Sequence, residues 1–260
     1  MGSLWPLRGW SIGACPSRDA VPAGQWWPEL MGRTAICVTA AEAVADVPDG
    51  ASVMVGGFGP SDCPSLLVQA LAEAGPRELT LICNGPTGRP GGSDSSLLVE
   101  RGLVRKVICS FPVPPTTAGE MTAFERLFRE GRIELELVPQ GTLVERIRAG
   151  GAGIPAFYTP TGVGTVFAEG KEVRVIDGQE CLLQFALRAD FALVRAHRAD
   201  TMGNLTYRLA RRNFNPAMAM AAEVTVAEVG EIVPAGGLDP DAVVTPGIFV
   251  DRLVCREGAG

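Results

Sequence analysis

The sequence has few of the residues that bind metals or activate nucleophiles. Its single histidine, His197, lies between Arg195 and Arg198. A site with several histidine ligands is therefore excluded, and a histidine-dependent catalytic triad would depend on this one residue. We interpret His197 as an ordinary surface or packing residue.

Paired cysteine motifs are also missing. The seven cysteines are scattered, and none stands in a Cys-x-x-Cys pair, so neither a zinc site nor a redox pair is indicated. Several cysteines lie in apolar runs, where they act as small buried hydrophobic residues. This usage predicts a reducing, cytoplasmic location.

Positive charge and long apolar segments are lacking as well. The formal net charge is −6 and the sequence pI is about 5.0, which argues against a nucleic-acid or anionic-membrane partner. No stretch approaches the roughly 18 uninterrupted apolar residues of a membrane span. The 260 residues fit one large domain or two small ones with an ample core.

The start of the chain differs in composition from the rest. Residues 1–33 contain all four tryptophans, set among Gly, Pro and Ser without periodicity. They lack the apolar segment of roughly 7–15 residues that a secretory signal needs. We expect a disordered extension over 1–33, a folded domain over 34–254 and a short tail over 255–260.

The central feature of the sequence is a buried strand that runs directly into a glycine-rich loop. Ala51–Val55 is a short apolar run after the turn dipeptide Asp49-Gly50, which predicts an interior strand. The next residues are Gly56, Gly57, Phe58 and Gly59. Glycines at the carboxyl end of a strand permit either a close approach of the backbone to a ligand or simply a tight turn. Dinucleotide-binding and phosphate-loop motifs are both absent.

Strands and helices alternate through the first half of the chain. Strands are predicted at 51–55, 79–83, 104–110 and 133–138, and helices at 40–47, 65–75, 95–103, 124–130 and 143–149. This alternation predicts an α/β fold with an open, largely parallel sheet flanked by helices. Three strands end in polar or glycine loops, at Gly56, Asn84 and Gln140, and a parallel sheet would bring these loops to one edge. We expect a binding cleft there.

The second half is predicted to be richer in β structure. Strands are expected at 173–176, 191–196 and 224–233, with short helices at 182–187 and 217–222. An arginine cluster (Arg208, Arg211 and Arg212) could face the phosphates of a nucleotide-like ligand, or it could be a solvated face or a contact between chains.

Candidate polar groups for the cleft are neutral. The amides of Asn84 and Gln140 suit hydrogen bonds to a carboxylate or thioester carbonyl, but such amides also tie down loops. No carboxylate is singled out as a nucleophile, because helix or turn roles explain Glu120, Glu125, Glu145 and Glu169. The sequence therefore predicts a cleft without an attacking group.

Several motifs occur in the order found in one known family. They are Asp49-Gly50 with Gly56-Gly57-Phe58 and Pro64, then Pro139–Gly153, Ala156–Pro160, Asn213–Pro216 and Thr245–Val250. On these motifs, residues 34–254 resemble the family I coenzyme A transferases, above all the A (alpha) subunits of 3-oxoacid CoA-transferases.

The resemblance implies a reaction that is shared with a partner chain, the B (beta) subunit. In this family a glutamate on the partner attacks an acyl-CoA thioester, and a ping-pong transfer proceeds through an acyl-glutamyl anhydride and a glutamyl-CoA thioester. The resemblance therefore implies no catalytic nucleophile in this chain, a heteromer with the beta chain, and CoA as a substrate with no cofactor. The expected reaction moves CoA from a donor such as succinyl-CoA to a 3-oxo acid, either acetoacetate or 3-oxoadipate.

Site residues follow from the matching positions. The resemblance implies that Gly56, Gly57, Phe58 and Gly59 form the loop beside the reacting centre. It also implies that Asn84 and Gln140 match an active-site asparagine and glutamine of the family.

The sequence departs from the family pattern on the expected substrate side. Asp62 stands in place of a glycine, Gly85 replaces the second residue of an Asn-Asn pair, and Phe111–Pro115 replaces a Tyr-Val-Gly stretch. The resemblance therefore leaves the choice of acid open. Alternative functions are an acyl-CoA hydrolase or a ring-cleaving lyase on the same fold, and a non-enzymatic module that binds a CoA metabolite.

Overall fold

The computed structural model describes residues 34–37, 39–59, 62–86, 92–113 and 121–256. The predicted disordered extension over 1–33 lies outside the described residues. So does 257–260, the greater part of the predicted tail.

An eight-stranded sheet forms the centre of the described chain, and all its strand pairs are parallel. In spatial order its strands are β1 (Ala35–Cys37), β14 (Arg252–Cys255), β12 (Ala222–Val229), β9 (Ala189–Arg195), β2 (Ser52–Val55), β3 (Leu79–Cys83), β4 (Val104–Cys109) and β5 (Glu134–Leu137). The predicted parallel α/β architecture is confirmed. The last strand extends one residue beyond the expected domain boundary at 254.

Helices cover both faces of this sheet. They are α1 (Ala40–Val44), α2 (Ser65–Ala74), α3 (Ser96–Glu100), α4 (Ala123–Arg129), α5 (Gln140–Gly151) and α6 (Asn215–Ala221). Successive side chains of a strand point to opposite faces, so Val53 and Val55 pack in the core beneath α1–α4, whereas Met54 packs in the core beneath α5 and α6. Burial on both faces explains why the central strands β2 and β3 are short, largely apolar runs. None of the helices in the described ranges is long and apolar enough to cross a membrane.

Two small sheets make the second half richer in β structure, as predicted. One is antiparallel and consists of β6 (Ala156–Thr159), β7 (Val173–Ile176) and β8 (Gln179–Phe185). The other consists of β10 (Arg198–Asp200), β11 (Leu205–Thr206) and β13 (Glu231–Val233). Short 3-10 turns occur at Val166–Ala168, Leu209–Arg212, Pro240–Ala242 and Gly247–Phe249.

The helix predicted at 182–187 is wrong, because this segment belongs largely to β8. Leu182 is fully buried and Phe185 is 65% exposed, in the alternating pattern of a strand with one covered face. The signal that identifies the hairpin is the Asp177-Gly178 dipeptide, in which both residues have positive φ (50° and 79°). Such a pair joins two antiparallel strands in a tight turn.

The strand predicted at 224–233 is in fact two strands in different sheets. Gly230 separates them, and its N–H donates to the carbonyl of His197 over 3.0 Å. The residues before it form β12 of the large sheet, and those after it form β13 of the small one. The chain therefore changes sheets at the carboxyl edge, next to the expected cleft.

Candidate functional site

Two of the predicted site residues are directly bonded to each other. Gln140 is the first residue of α5, and its Nε2 donates a hydrogen bond of 2.7 Å to Oδ1 of Asn84, just beyond β3. The carbonyl of Asn84 also accepts from the N–H groups of Ser110 and Phe111, at 3.1 and 3.0 Å, where β4 ends. The bond between the amides uses only one polar group of each side chain, so both amides keep hydrogen-bonding capacity for a ligand.

The glycine loop follows β2 and is held by residues from a distant part of the chain. The N–H of Gly57 donates to Oδ1 of Asn213 over 3.2 Å. Asn215, which is fully buried, lies so close to Gly56 that a Cβ there would be 1.9 Å from its Oδ1. Glycine at position 56 is therefore required by packing.

The side-chain amide of Asn215 is itself held through both its oxygen and its nitrogen. Oδ1 of Asn215 accepts from the N–H of Arg195 over 3.1 Å, and its Nδ2 donates to the carbonyl of Arg211 over 2.8 Å. Sequence reasoning used Asn213–Pro216 only as a family motif and missed this role. The two amide side chains of this Asn-Phe-Asn-Pro run were the available signal.

The backbone N–H groups of Gly56 and Gly57 both have partners within the protein. The N–H of Gly56 donates to the carbonyl of Leu193 over 2.9 Å, and that of Gly57 to Asn213. The loop therefore presents small residues to a ligand, and the N–H groups of Gly56 and Gly57 are not available as donors. Phe58 and Gly59 extend from it into solvent, with Phe58 55% exposed and Gly59 at φ +86°.

Buried thiols lie behind the loop. Cys63 and Cys83, together with Gly56, Gly57 and Asn84, line a cavity of about 20 Å³, roughly large enough for one water molecule. Burial raises the pKa of both thiols, and burial raises that of Cys109 to about 12. Thiols in this state are poor nucleophiles, so these cysteines contribute packing.

A buried carboxylate, missed by sequence reasoning, anchors the other side of the loop. Glu228 is fully buried at the end of β12, and its Oε2 accepts from the N–H groups of Leu66 and Leu67 at the start of α2, at 2.8 and 3.4 Å. Its Oε1 accepts a short hydrogen bond from Nη1 of Arg256 and lies 3.9 Å from Nε of Arg195. A carboxylate at a helix N-terminus interacts favourably with the helix dipole.

The charge that departs from the family pattern is paired. Oδ1 of Asp62 lies 3.3 Å from Nε of Arg211, one member of the predicted arginine cluster. Arg208 and Arg212 are exposed.

Two of the glutamates named in the sequence analysis, Glu125 and Glu145, have structural roles. Glu125 completes a capping box with Thr122 at the start of α4, and Glu145 pairs with Arg148 on α5 at 2.8 Å. Glu120 lies outside the described residues, as does the whole of 114–120, the part of the proline loop that follows Val113. The backbone N–H of His197 donates to the carbonyl of Thr206 in β11, and its carbonyl accepts from the N–H of Gly230.

These features define an α/β protein with a candidate ligand site at the carboxyl edge of a parallel sheet, where such folds bind ligands. The cleft presents neutral amides. Among the carboxylates near it in the described chain, Asp62 and Glu228 are engaged in ion pairs, and buried Asp94, which lines the small cavity, accepts a hydrogen bond of 2.8 Å from the N–H of Ser96 at the start of α3.

Comparison with known proteins agrees with this class. Residues 37–256 match the profile of coenzyme A transferases. The chain is 51% identical over 219 residues to the A (alpha) chain of the 3-oxoadipate CoA-transferase of Pseudomonas putida, covering 84% of this chain and 92% of that one. It is 52% identical over 208 residues to the corresponding chain of the succinyl-CoA:3-ketoacid coenzyme A transferase of Xanthomonas campestris pv. campestris, covering 80% and 83%.

A solved structure shows the same fold. The acyl-CoA transferase of Escherichia coli O157:H7, a thioester complex with CoA, superimposes with a TM-score of 0.74 at 25% identity over 88% of this chain. This chain spans only 48% of that longer polypeptide. The chain belongs to the coenzyme A transferase family, which confirms both the resemblance and the enzyme class predicted from the motifs.

Proposed function

We propose that this chain is the alpha subunit of a heteromeric 3-oxoacid CoA-transferase. In the proposed reaction, CoA moves from an acyl-CoA donor such as succinyl-CoA to a 3-oxo acid, acetoacetate or 3-oxoadipate. The names of the two similar chains from Pseudomonas putida and Xanthomonas campestris support this assignment. The observation that carries it is the bonded pair of Asn84 and Gln140 beside a packed glycine loop, at a cleft whose nearby acids and thiols are occupied or inert.

The attacking group then comes from the partner, the beta subunit. Its glutamate carboxylate adds to the thioester carbonyl, and CoA thiolate leaves as an acyl-glutamyl anhydride forms. The thiolate attacks the glutamyl carbonyl of the anhydride and releases the donor acid, leaving a glutamyl-CoA thioester. The acceptor carboxylate reverses these steps, so no water is consumed and no cofactor is needed.

The role of this chain is to bind the substrates, to orient them and to keep water out of the site. The amide groups of Asn84 and Gln140 that remain free of their mutual bond would hold a substrate carboxylate or the developing oxyanion. The small residues of the loop let the acyl group approach the backbone, while Phe58, which is exposed in the isolated chain, would cover it once the partner docks. A dry site protects the anhydride from hydrolysis.

Mass spectrometry of the complex tests this function. The chain is coexpressed with the beta subunit, treated with succinyl-CoA and digested. We expect CoA attached to a glutamate of the partner, together with a new CoA ester when a 3-oxo acid is added. Accumulation of free CoA instead would identify a hydrolase, and full transferase activity of the purified chain alone would refute the proposed division of labour.

A further inference from the structure

A second cavity lies against the glycine loop, on the side opposite Asn84. It has a volume of about 300 Å³ and is lined by Asp62, Arg208, Leu209, Ala210 and Arg211. Position 62 abuts the loop, since a Cβ on Gly57 would lie 3.2 Å from the carbonyl carbon of Asp62. We call this space the arginine cavity.

The arginine cavity and the amide pair are tied to strands on opposite sides of β2. Asn84 follows β3, whereas Arg211 is tied to Asn215, which bonds to the end of β9. Both β3 and β9 pair with β2, so they are two strand spacings, or about 10 Å, apart. One molecule with polar groups at both ends could therefore reach both places.

Arg211 is oriented for an anion. Its carbonyl is held by the fully buried Asn215, and its Nε lies 3.3 Å from Oδ1 of Asp62. A guanidinium is a planar fork with five N–H donors, so the contact through Nε leaves the Nη groups for a bidentate bond to a carboxylate. The side chain of Arg211 is 40% exposed and that of Asp62 is 19% exposed, so a ligand can reach the arginine.

The charges around the cavity add to a surplus of positive charge. Of the residues that line the cavity, Arg208 and Arg211 are cationic and only Asp62 is anionic, and Arg208 is exposed.

The rim of the cavity is strained. Leu209 has φ +56°, which is uncommon for a residue with a side chain, and it is 89% exposed. Strain of this kind concentrates at ligand clamps, and the apolar side chain could cover the methylene groups of a bound acid.

We propose that Arg211, oriented by Asp62, binds the distal carboxylate of a dicarboxylic substrate, so that the enzyme prefers 3-oxo dicarboxylic acids such as 3-oxoadipate to 3-oxo monocarboxylic acids such as acetoacetate. The inference rests on the proposed function, whose amide pair and partner glutamate handle the other carboxyl group. It also gives a role to Asp62, the charge that the family pattern lacks.

The kinetic test uses four substrates and the complex with the beta subunit. The donors are succinyl-CoA and acetoacetyl-CoA, and the acceptors are 3-oxoadipate and acetoacetate. In Arg211→Ala we expect KM to rise about ten- to a hundredfold for the two substrates with a distal carboxylate. For the other two, KM should stay within about twofold. Arg211→Lys should recover part of the loss, because lysine keeps the charge without the fork.

The matched control is Arg101→Ala, which removes the same charge at the opposite edge of the sheet. Arg101 follows α3 and precedes β4, and we expect all four KM values to stay at the wild-type level. An equal rise in KM for all four substrates in Arg211→Ala would refute the inference. An equal rise in KM for both CoA esters, with unchanged KM for both acceptors, would also refute it and would assign the arginine to the phosphates of CoA.

A binding measurement separates this inference from the proposed function. Calorimetry of the complex with adipate and with hexanoate needs no turnover. We expect adipate alone to bind, and Arg211→Ala to abolish that binding. If adipate binds wild type and Arg211→Ala equally, the inference fails whatever the transferase assay shows; if no transfer occurs but adipate binding depends on Arg211, only the proposed function fails.

Discussion

Gln140 donates a hydrogen bond of 2.7 Å to Asn84 although the two residues lie 56 positions apart in the sequence. One begins helix α5 and the other follows strand β3, so the bond joins two separate loops of the carboxyl edge. The two amides therefore orient each other and act as one unit.

A double-mutant cycle measures this coupling. We expect Asn84→Ala and Gln140→Ala each to lower kcat of the complex on the order of tenfold or more, as the loss of an oxyanion donor does. The double variant should lose less than the two single losses combined, because each single change already disorients the other amide. Gln69→Ala, which removes an exposed amide bonded to Glu73 on α2 at 3.0 Å, is the control and should leave kcat unchanged. Fully additive losses would mean that the amides act independently.

The packing of Gly56 gives a prediction on stability. Gly56→Ala places a Cβ 1.9 Å from Oδ1 of buried Asn215, and overpacking of this kind costs about 1–3 kcal/mol. Gly141→Ala is the matched control, since a Cβ added to this helical glycine would have no atom within 4 Å apart from its chain neighbours and the backbone of its own helix, and alanine favours a helix by roughly 0.5–1 kcal/mol. Denaturant unfolding should show opposite signs for the two variants. Equal stability of Gly56→Ala and wild type would contradict the close contact.

The buried carboxylate of Glu228 should be far more important than an exposed one nearby. Glu228→Gln leaves Arg195 and Arg256 without their shared counter-ion, and breaking a buried ion pair from one side costs about 3–5 kcal/mol. Glu231→Gln removes a carboxylate that pairs with Arg198 while 57% exposed, which costs about 1 kcal/mol or less. Free energies of unfolding from urea titration compare the two. A cost for Glu228→Gln no greater than that for Glu231→Gln would show that the buried cluster contributes little.

Local patterns predicted the large sheet and the meeting of its loops, because both follow from rules that span few residues. Apolar runs that alternate with segments of helical periodicity predict a parallel sheet, and the strands of a parallel sheet all end at the same edge. That was sufficient to bring Asn84 and Gln140 to the same edge.

Partners distant in sequence could not be predicted in this way. Asn213 bonds to Gly57 across 156 positions and Glu228 to Leu66 across 162, and no periodicity records such pairs. The missed hairpin of β7 and β8 is different. The Asp177-Gly178 turn was a local signal, but the apolar run after it is too short to separate helix from strand by periodicity.

Glu136 on β5 provides a prediction on pH. Its carboxylate lies 2.7 Å from Nη1 of Arg146 and 2.8 Å from Nζ of Lys106. Partial burial on its own raises the pKa of Glu136, but the hydrogen bonds from Lys106 and Arg146 outweigh burial, and the net pKa lies below the ordinary glutamate value. In the unfolded chain the pKa returns to about 4.3.

The stability from these ion pairs should therefore disappear in acid. A folded pKa below the unfolded value means that the unfolded state binds protons more tightly, so the contribution is complete above the unfolded pKa and is lost as pH falls through the folded one. We expect wild type to be more stable than Glu136→Gln from neutral pH down to about pH 5, with the difference shrinking below about pH 4. Glu134→Gln, which affects a 62% exposed carboxylate of the same strand paired with Arg105, should cost under about 1 kcal/mol throughout. A difference between wild type and Glu136→Gln that stays constant into acid would mean that the pKa of Glu136 is the same in the folded and unfolded chain, and that the two cations do not stabilise its charge.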